Sequence, residues 1–168
     1  MRTLTFTNEY PDEVRARLVA GEQDPFGMAD MTLEWLPKDW HVLAHEDGEV
    51  VAHVGLVRAV VNVGKKRLEV GGYGGVLTRA SERGQGHARA ALAVADDKLR
   101  EWNLKFGLLF CRPELVGYYA RLGWQELAGP VEVQQPGGPI VFPKCAMVKP
   151  LTSEPWPEGP VRLDGLPW

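Results

Sequence analysis

Residues 76–91, Val-Leu-Thr-Arg-Ala-Ser-Glu-Arg-Gly-Gln-Gly-His-Ala-Arg-Ala-Ala, carry the densest chemical signal in this 168-residue chain. They read as a strand end, a short polar loop and a helix opening on Arg83-Gly84-Gln85-Gly86-His87-Ala88. Gly84 and Gly86 lack a Cβ, so a ligand can approach the backbone closely. The first N–H groups of the following helix have no intrahelical acceptor and sit at the positive end of its dipole. That geometry suits a phosphate or pyrophosphate, with Arg83 adding charge. The dinucleotide pattern Gly-x-Gly-x-x-Gly fails, because Arg89 stands where the third glycine belongs, and no Gly-Lys-Ser/Thr follows the loop. His53 titrates in a useful range but reads as a packed strand residue, and Cys111 reads as core because no histidine and acid are arrayed to activate it.

These groups need a scaffold to hold them. Leu4 and Phe6 alternate in a first strand, and Pro11-Asp12-Glu13 opens a helix that stops at Gly21. Residues 22–39 are irregular, with Met31, Leu33, Trp35 and Leu36 predicting a short second helix or turn. Asp47-Gly48 joins two strands, residues 41–45 and 50–63, and Gly64-Lys65-Lys66 leads into a third, residues 68–78. Gly71, Gly72, Gly74 and Gly75 in that third strand predict a bulge or a close approach of a ligand, the ligand favoured because the strand runs into the Arg83 loop. A helix over 86–103, a buried strand over 105–111, a helix from Pro113 to Gly123 and strands at 124–127 and 141–148 follow, the last two joined by a loop. Hairpins in the middle and β-α-β passages later imply a mixed α/β sheet, largely antiparallel, with helices on both faces. One domain spans 1–150. Residues 151–168, with Pro155, Pro157, Pro160 and Pro167, form a Pro-rich tail docked on it through Trp156, Leu163, Leu166 and Trp168.

A net charge of −3 gives no support to a nucleic-acid partner and is compatible with a cationic substrate. Two cysteines without ligand spacing indicate neither a metal site nor a disulfide framework. With no signal core and no membrane-length apolar run, a cytoplasmic protein is expected. The oligomeric state stays open, a homodimer included.

Arg83, Gly86 and Ala88 fill the pattern Arg/Gln-x-x-Gly-x-Gly/Ala, which resembles the acetyl-CoA pyrophosphate loop of the GNAT N-acetyltransferases. Tyr119-Ala-Arg-Leu-Gly123-Trp124 resembles that superfamily's Tyr-x-x-x-Gly-Phe/Trp segment, and the element order over residues 1–150 is similar to its fold. The resemblance implies acetyl-CoA as cosubstrate, bound by Val76, Leu77, Thr78, Arg83, Gly84, Gln85, Gly86, His87 and Ala88. Tyr119 would act as general acid, with backbone N–H groups near Leu77 and Thr78 facing the thioester oxygen. Segments at 40–48, 52–53, 72–73, 76–84, 119–124 and 129–130, and a final tryptophan, look like those of aminoglycoside 2′-N-acetyltransferases. That likeness implies a primary amine on a cationic small molecule, aminosugar-like, with Asp30, Glu34, Tyr73 and Trp168 on the acceptor side. Gly74 replaces that family's glutamate, so the base falls to Glu69, the C-terminal carboxylate or a water. A protein or peptide acceptor, or a CoA-binding domain without turnover, are the alternatives.

Overall fold

A computed structural model describes residues 1–168. Ten strands and three α-helices run in the order β1 (Arg2–Thr7), α1 (Asp12–Val19), β2 (Trp40–Glu46), β3 (Glu49–Val63), β4 (Lys66–Thr78), α2 (His87–Glu101), β5 (Phe106–Cys111), α3 (Val116–Ala120), β6 (Gln125–Glu126), β7 (Val131–Gln135), β8 (Gly138–Val141), β9 (Cys145–Pro150) and β10 (Val161–Leu163). All ten strands form one sheet. β1 to β4 are successively antiparallel where they pair, β5 is parallel to β4, and β9 and β6 close that edge. β3 is long enough to hold two neighbours on one side: β2 takes its first half, and β10 takes Val61–Val63, carrying β7 and β8 outward.

Strand alternation sorts β3 into two cores. Val54 and Leu56 face the layer of α2 and α3 together with Leu92, Leu99 and Tyr73. Val57, Val61 and Val63 face the opposite layer with Phe106, Val133, Leu163 and Trp168. α1 reaches this second face, where Tyr10 just before it stacks on His53 at a centroid distance of 3.9 Å. Between the layers, Tyr73 Oη donates to Asp96 at 2.6 Å and Lys149 Nζ pairs with the same carboxylate at 2.5 Å. Losing Asp96 would strand that lysine partly out of water, at a cost of about 3–5 kcal/mol.

Three sequence expectations change. No second helix forms between Val19 and Trp40; Met31, Leu33, Trp35 and Leu36 lie on the second core in irregular backbone. Its polar groups find remote partners: Gln135 bonds both the N–H and the C=O of Glu34, at 2.8 and 3.0 Å, and Leu36 N–H donates to Pro167 O at 2.6 Å. The stretch around Gln134-Gln135-Pro136-Gly137-Gly138 is a hairpin, β7–β8, rather than a plain loop. Two of the β4 glycines admit the chain's own side chains rather than a ligand, while Gly74 and Gly75 line the cavity described below: a Cβ on Gly71 would fall 1.8 Å from Leu99 Cδ2, and one on Gly72 2.4 Å from Trp168 Cε2. No helix is long and apolar enough to cross a membrane.

Candidate active site

β4 and β5 pair only from Gly71–Gly107 to Tyr73–Leu109, and then separate. The cause is a bulge: between the pairs Gly55–Gly74 and His53–Leu77, Gly75 and Val76 together oppose Val54. Gly75 has φ +59°, a value that favours glycine, and its carbonyl accepts a hydrogen bond from His53 Nδ1 at 2.7 Å. Arg79 N–H donates to Val51 O at 2.9 Å. Strand alternation from that bond turns Leu77 N–H back toward β3 and the N–H groups of Thr78 and Val76 toward the gap. Val76 therefore replaces Leu77 as the donor available there.

The loop beyond β4 makes one 3₁₀ turn at Ala80–Glu82 before α2. Gly84 and Gly86 both have positive φ and face open space, and no loop carbonyl or side chain accepts from the N–H groups of residues 84–88. This is a cradle fit for a pyrophosphate. Three side chains proposed for the ligand are otherwise engaged. Arg83 pairs with Glu22 and donates to Thr78 O at 3.2 Å; Gln85 donates to Glu82 at 3.0 Å. His87 is buried with Nδ1 accepting from Arg2 Nε at 3.1 Å, so only its main chain faces outward. Ala88 contributes a first-turn N–H.

A cavity of about 540 Å³ passes through the gap. Tyr119, Leu115 and Cys111 line it from the α3 side. Burial, helped by neighbouring Cys111, pushes the Tyr119 phenol well above its ordinary range, which keeps its proton in place until a strong base forms beside it. Burial likewise pushes the Cys111 thiol up to about 12, so no thiolate is available there.

From the α1 side the cavity meets Tyr10, Asp12, Arg15, Lys38, His41 and His53. The two histidines form a relay that the sequence reading missed. His41 Nδ1 lies 2.8 Å from His53 Nε2. A carbonyl only accepts, so His53 carries its proton on Nδ1 toward Gly75. Burial holds His53 neutral, with its pKa near 3, and leaves Nε2 bare. His41 Nδ1 must then donate to it, and neutral His41 keeps its lone pair on Nε2. The signal was available: a hairpin turning at Asp47-Gly48 sets Leu43 opposite His53 and His41 opposite Gly55, making the histidines diagonal neighbours on one face.

The expected acceptor residues divide. Trp168 lines the cavity, buried, with Nε1 donating to Leu108 O at 3.1 Å and its α-carboxyl carbon, that of the carboxylate offered as a base, 3.2 Å from where a Cβ on Gly74 would stand. Tyr73 touches the cavity but commits its hydroxyl to Asp96. Asp30 and Glu34 lie outside it: Asp30 is exposed and paired with Lys144 at 3.0 Å, and Glu34 is exposed at the Gln135 clamp. Glu69 pairs with Arg58 at 2.5 Å on the far part of β4 and does not line the cavity. Asp12, exposed at the rim, is its one acidic side chain.

The sequence matches the acetyltransferase (GNAT) domain over residues 13–127. No curated protein matches the chain. Among solved structures, the GNAT family N-acetyltransferase YhbS of Escherichia coli, in complex with CoA, is similar with a TM-score of 0.62 at 21% identity, over 98% of this chain and 94% of that one. A GNAT family acetyltransferase of Brucella melitensis, in complex with acetyl-CoA, gives 0.56 at 17% identity over 95% and 94%. ElaA of Escherichia coli gives 0.58 at 16% over 89% and 99%. With the family's domain matched over more than half its length, on a sheet that opens where β4 leaves β5, the chain belongs to the GNAT acetyltransferases.

Proposed function

We propose that the protein transfers the acetyl group of acetyl-CoA to a primary amine in the gap between β4 and β5. The observation that carries this is the meeting, in one cavity, of the gap opened at Gly75, a protonated phenol at Tyr119 and an imidazole lone pair at His41. Acetyl-CoA supplies the acyl group as an activated thioester. The cradle at 84–88 holds its pyrophosphate through backbone N–H groups and the α2 dipole. Val76 and Thr78 N–H offer donors to the charge that develops on the thioester oxygen. Tyr119 Oη gives its proton to the departing sulfur. His41 Nε2 takes the proton that the amine must lose, with His53 and Gly75 fixing its tautomer.

A cationic, aminosugar-like acceptor draws support from Trp168 on the cavity wall, whose α-carboxyl group stands over Gly74, but not from Asp30, Glu34 or any acidic side chain deep in the cavity. A cytoplasmic setting is the one this reading goes with, because acetyl-CoA is available there. The test is release of CoA thiol from acetyl-CoA across aminoglycosides, polyamines, amino acids and peptides, with the acetylated amine identified by mass. Stoichiometric thiol and N-acetyl product are expected; tight acetyl-CoA binding with no thiol release across that panel would reduce the site to a binding module.

A further inference from the structure

Lys38 is a charged side chain built into the cavity without a partner. It crosses the sheet where Gly55 of β3 stands opposite Gly74 of β4. A Cβ on Gly55 would fall 2.5 Å from Lys38 Cγ, and one on Gly74 2.5 Å from its Cε and 3.1 Å from Nζ. Neither glycine has a positive φ, so both serve as space: together they make a trough that carries the lysine stem to the edge of the gap. The ammonium thus occupies the place where the resemblance anticipates a glutamate, and the sign of the charge there is reversed.

The other half-sequestered lysines are satisfied, Lys144 by Asp30 and Gly27 O and Lys149 by Asp96, whereas Lys38 makes no hydrogen bond or ion pair; the carboxyl carbon of Trp168 lies 3.2 Å from the same Cβ position over Gly74 that Nζ approaches to 3.1 Å, beside the ammonium but not bonded to it. Burial first, then Arg15, lowers its pKa to about 8, so at neutral pH it is still mostly cationic. Arg15 joins it on the cavity wall, also without an ion pair, and the two histidines are neutral. A cation held partly out of water and unpaired is costly, which makes the site complementary to an incoming anion.

We propose that the acceptor is an amine that also bears a carboxylate, an amino-acid-like molecule, and that Lys38 holds the carboxylate, with Arg15 at the rim, while the amine faces the gap. This rests on acetyl transfer to an amine as described above. The fixed positive charge has a second effect: it disfavours the ammonium form of the bound acceptor and so eases loss of the proton to His41.

The experiment compares amines that differ only in the carboxylate, such as phenylalanine, phenylalaninamide and phenethylamine, or lysine and cadaverine, by thiol release in wild type, Lys38→Met and Lys38→Arg. Met keeps the unbranched stem in the trough. The carboxylate-bearing members should show kcat/KM higher by about tenfold or more. That preference should vanish in Lys38→Met and persist in part in Lys38→Arg, with the KM for acetyl-CoA unmoved. Calorimetry of N-acetylphenylalanine, a product of the proposed reaction, binding to the CoA-loaded protein needs no turnover and should weaken by a similar factor in Lys38→Met. Equal kcat/KM for acid and amide in the wild type, a preference that survives Lys38→Met, or product binding indifferent to Lys38 would overturn the proposal. Thiol release from none of these amines would count against acetyl transfer, and the calorimetric arm would still decide the role of Lys38.

Discussion

The two sides of the gap are built by different means. On the cofactor side, a strand end, two open glycines and a helix start follow one another within a dozen residues, and the groups on offer are backbone N–H. On the acceptor side, Lys38 and His41, His53, Tyr119 and Trp168 arrive from four stretches of chain, and the groups on offer are side chains. The first kind of site depends on local conformation and tolerates change elsewhere. The second depends on which strands are neighbours and on which glycines leave room. Members of one family can therefore share the cradle while differing in what they acetylate.

The largest effect should come where the two sides meet. Tyr119→Phe keeps the ring in its packing against Trp124 and removes only the proton donor. We expect kcat to fall by roughly 10²–10⁴-fold with acetyl-CoA affinity nearly unchanged; a wild-type rate with chemistry limiting would remove Tyr119 from the reaction.

On the cofactor side, Gly86→Val imposes a branched side chain on a backbone at φ +79° and fills the open space before α2. CoA affinity should weaken by about tenfold or more, a change of roughly 1.4 kcal/mol or above. Calorimetry on the folded variant decides, and unchanged affinity would dissociate the cradle from the cofactor.

The relay makes an acid-sensitive contribution. His53 has its pKa lowered from 6.5 to about 3, so between those values the unfolded chain binds a proton that the folded one refuses. Stability should fall as pH drops through that window, by at most about 1.4 kcal/mol per pH unit from this group. His53→Gln, which can still donate to Gly75 O, should flatten that slope in chemical denaturation between pH 6.5 and 4. An identical slope in both proteins would mean that His53 is protonated in the folded state.

Lys38 gives the smallest effect. Its depressed pKa means that the unfolded state holds the proton more tightly, so the charge costs stability below about pH 8, and stability is recovered as pH rises toward 10.5. Lys38→Met should stabilise the protein at pH 7 by about 1–2 kcal/mol, allowing for the solvent that still reaches the ammonium. A loss of stability would reveal a partner for Nζ in the main chain near Trp168.

What could be foreseen from the sequence follows the same division. α2, the hairpins at Asp47-Gly48 and Gly64, and the cradle at 84–88 are written in contiguous residues, because turn chemistry and helix periodicity act over a few positions. The path of residues 20–39 was hidden, because Gln135 and Pro167 supply its hydrogen bonds from more than a hundred residues away. Gly71 and Gly72 misled for a related reason: a glycine announces close approach but not by what, and here Leu99 and Trp168 fill the space, whereas Gly75 makes the bulge that was the other reading. His53 is packed, as the sequence suggested, but its packing against Tyr10 and Gly75 is what makes His41 a proton acceptor.

The most direct test of this division is bisubstrate kinetics on wild type, Gly86→Val and Lys38→Met, varying acetyl-CoA and a carboxylate-bearing amine independently. The account predicts that Gly86→Val raises the KM for acetyl-CoA alone and Lys38→Met the KM for the amine alone. Both substitutions shifting the same constant, or Lys38→Met weakening acetyl-CoA, would contradict a site in which the cradle and the cavity serve separate substrates across one gap.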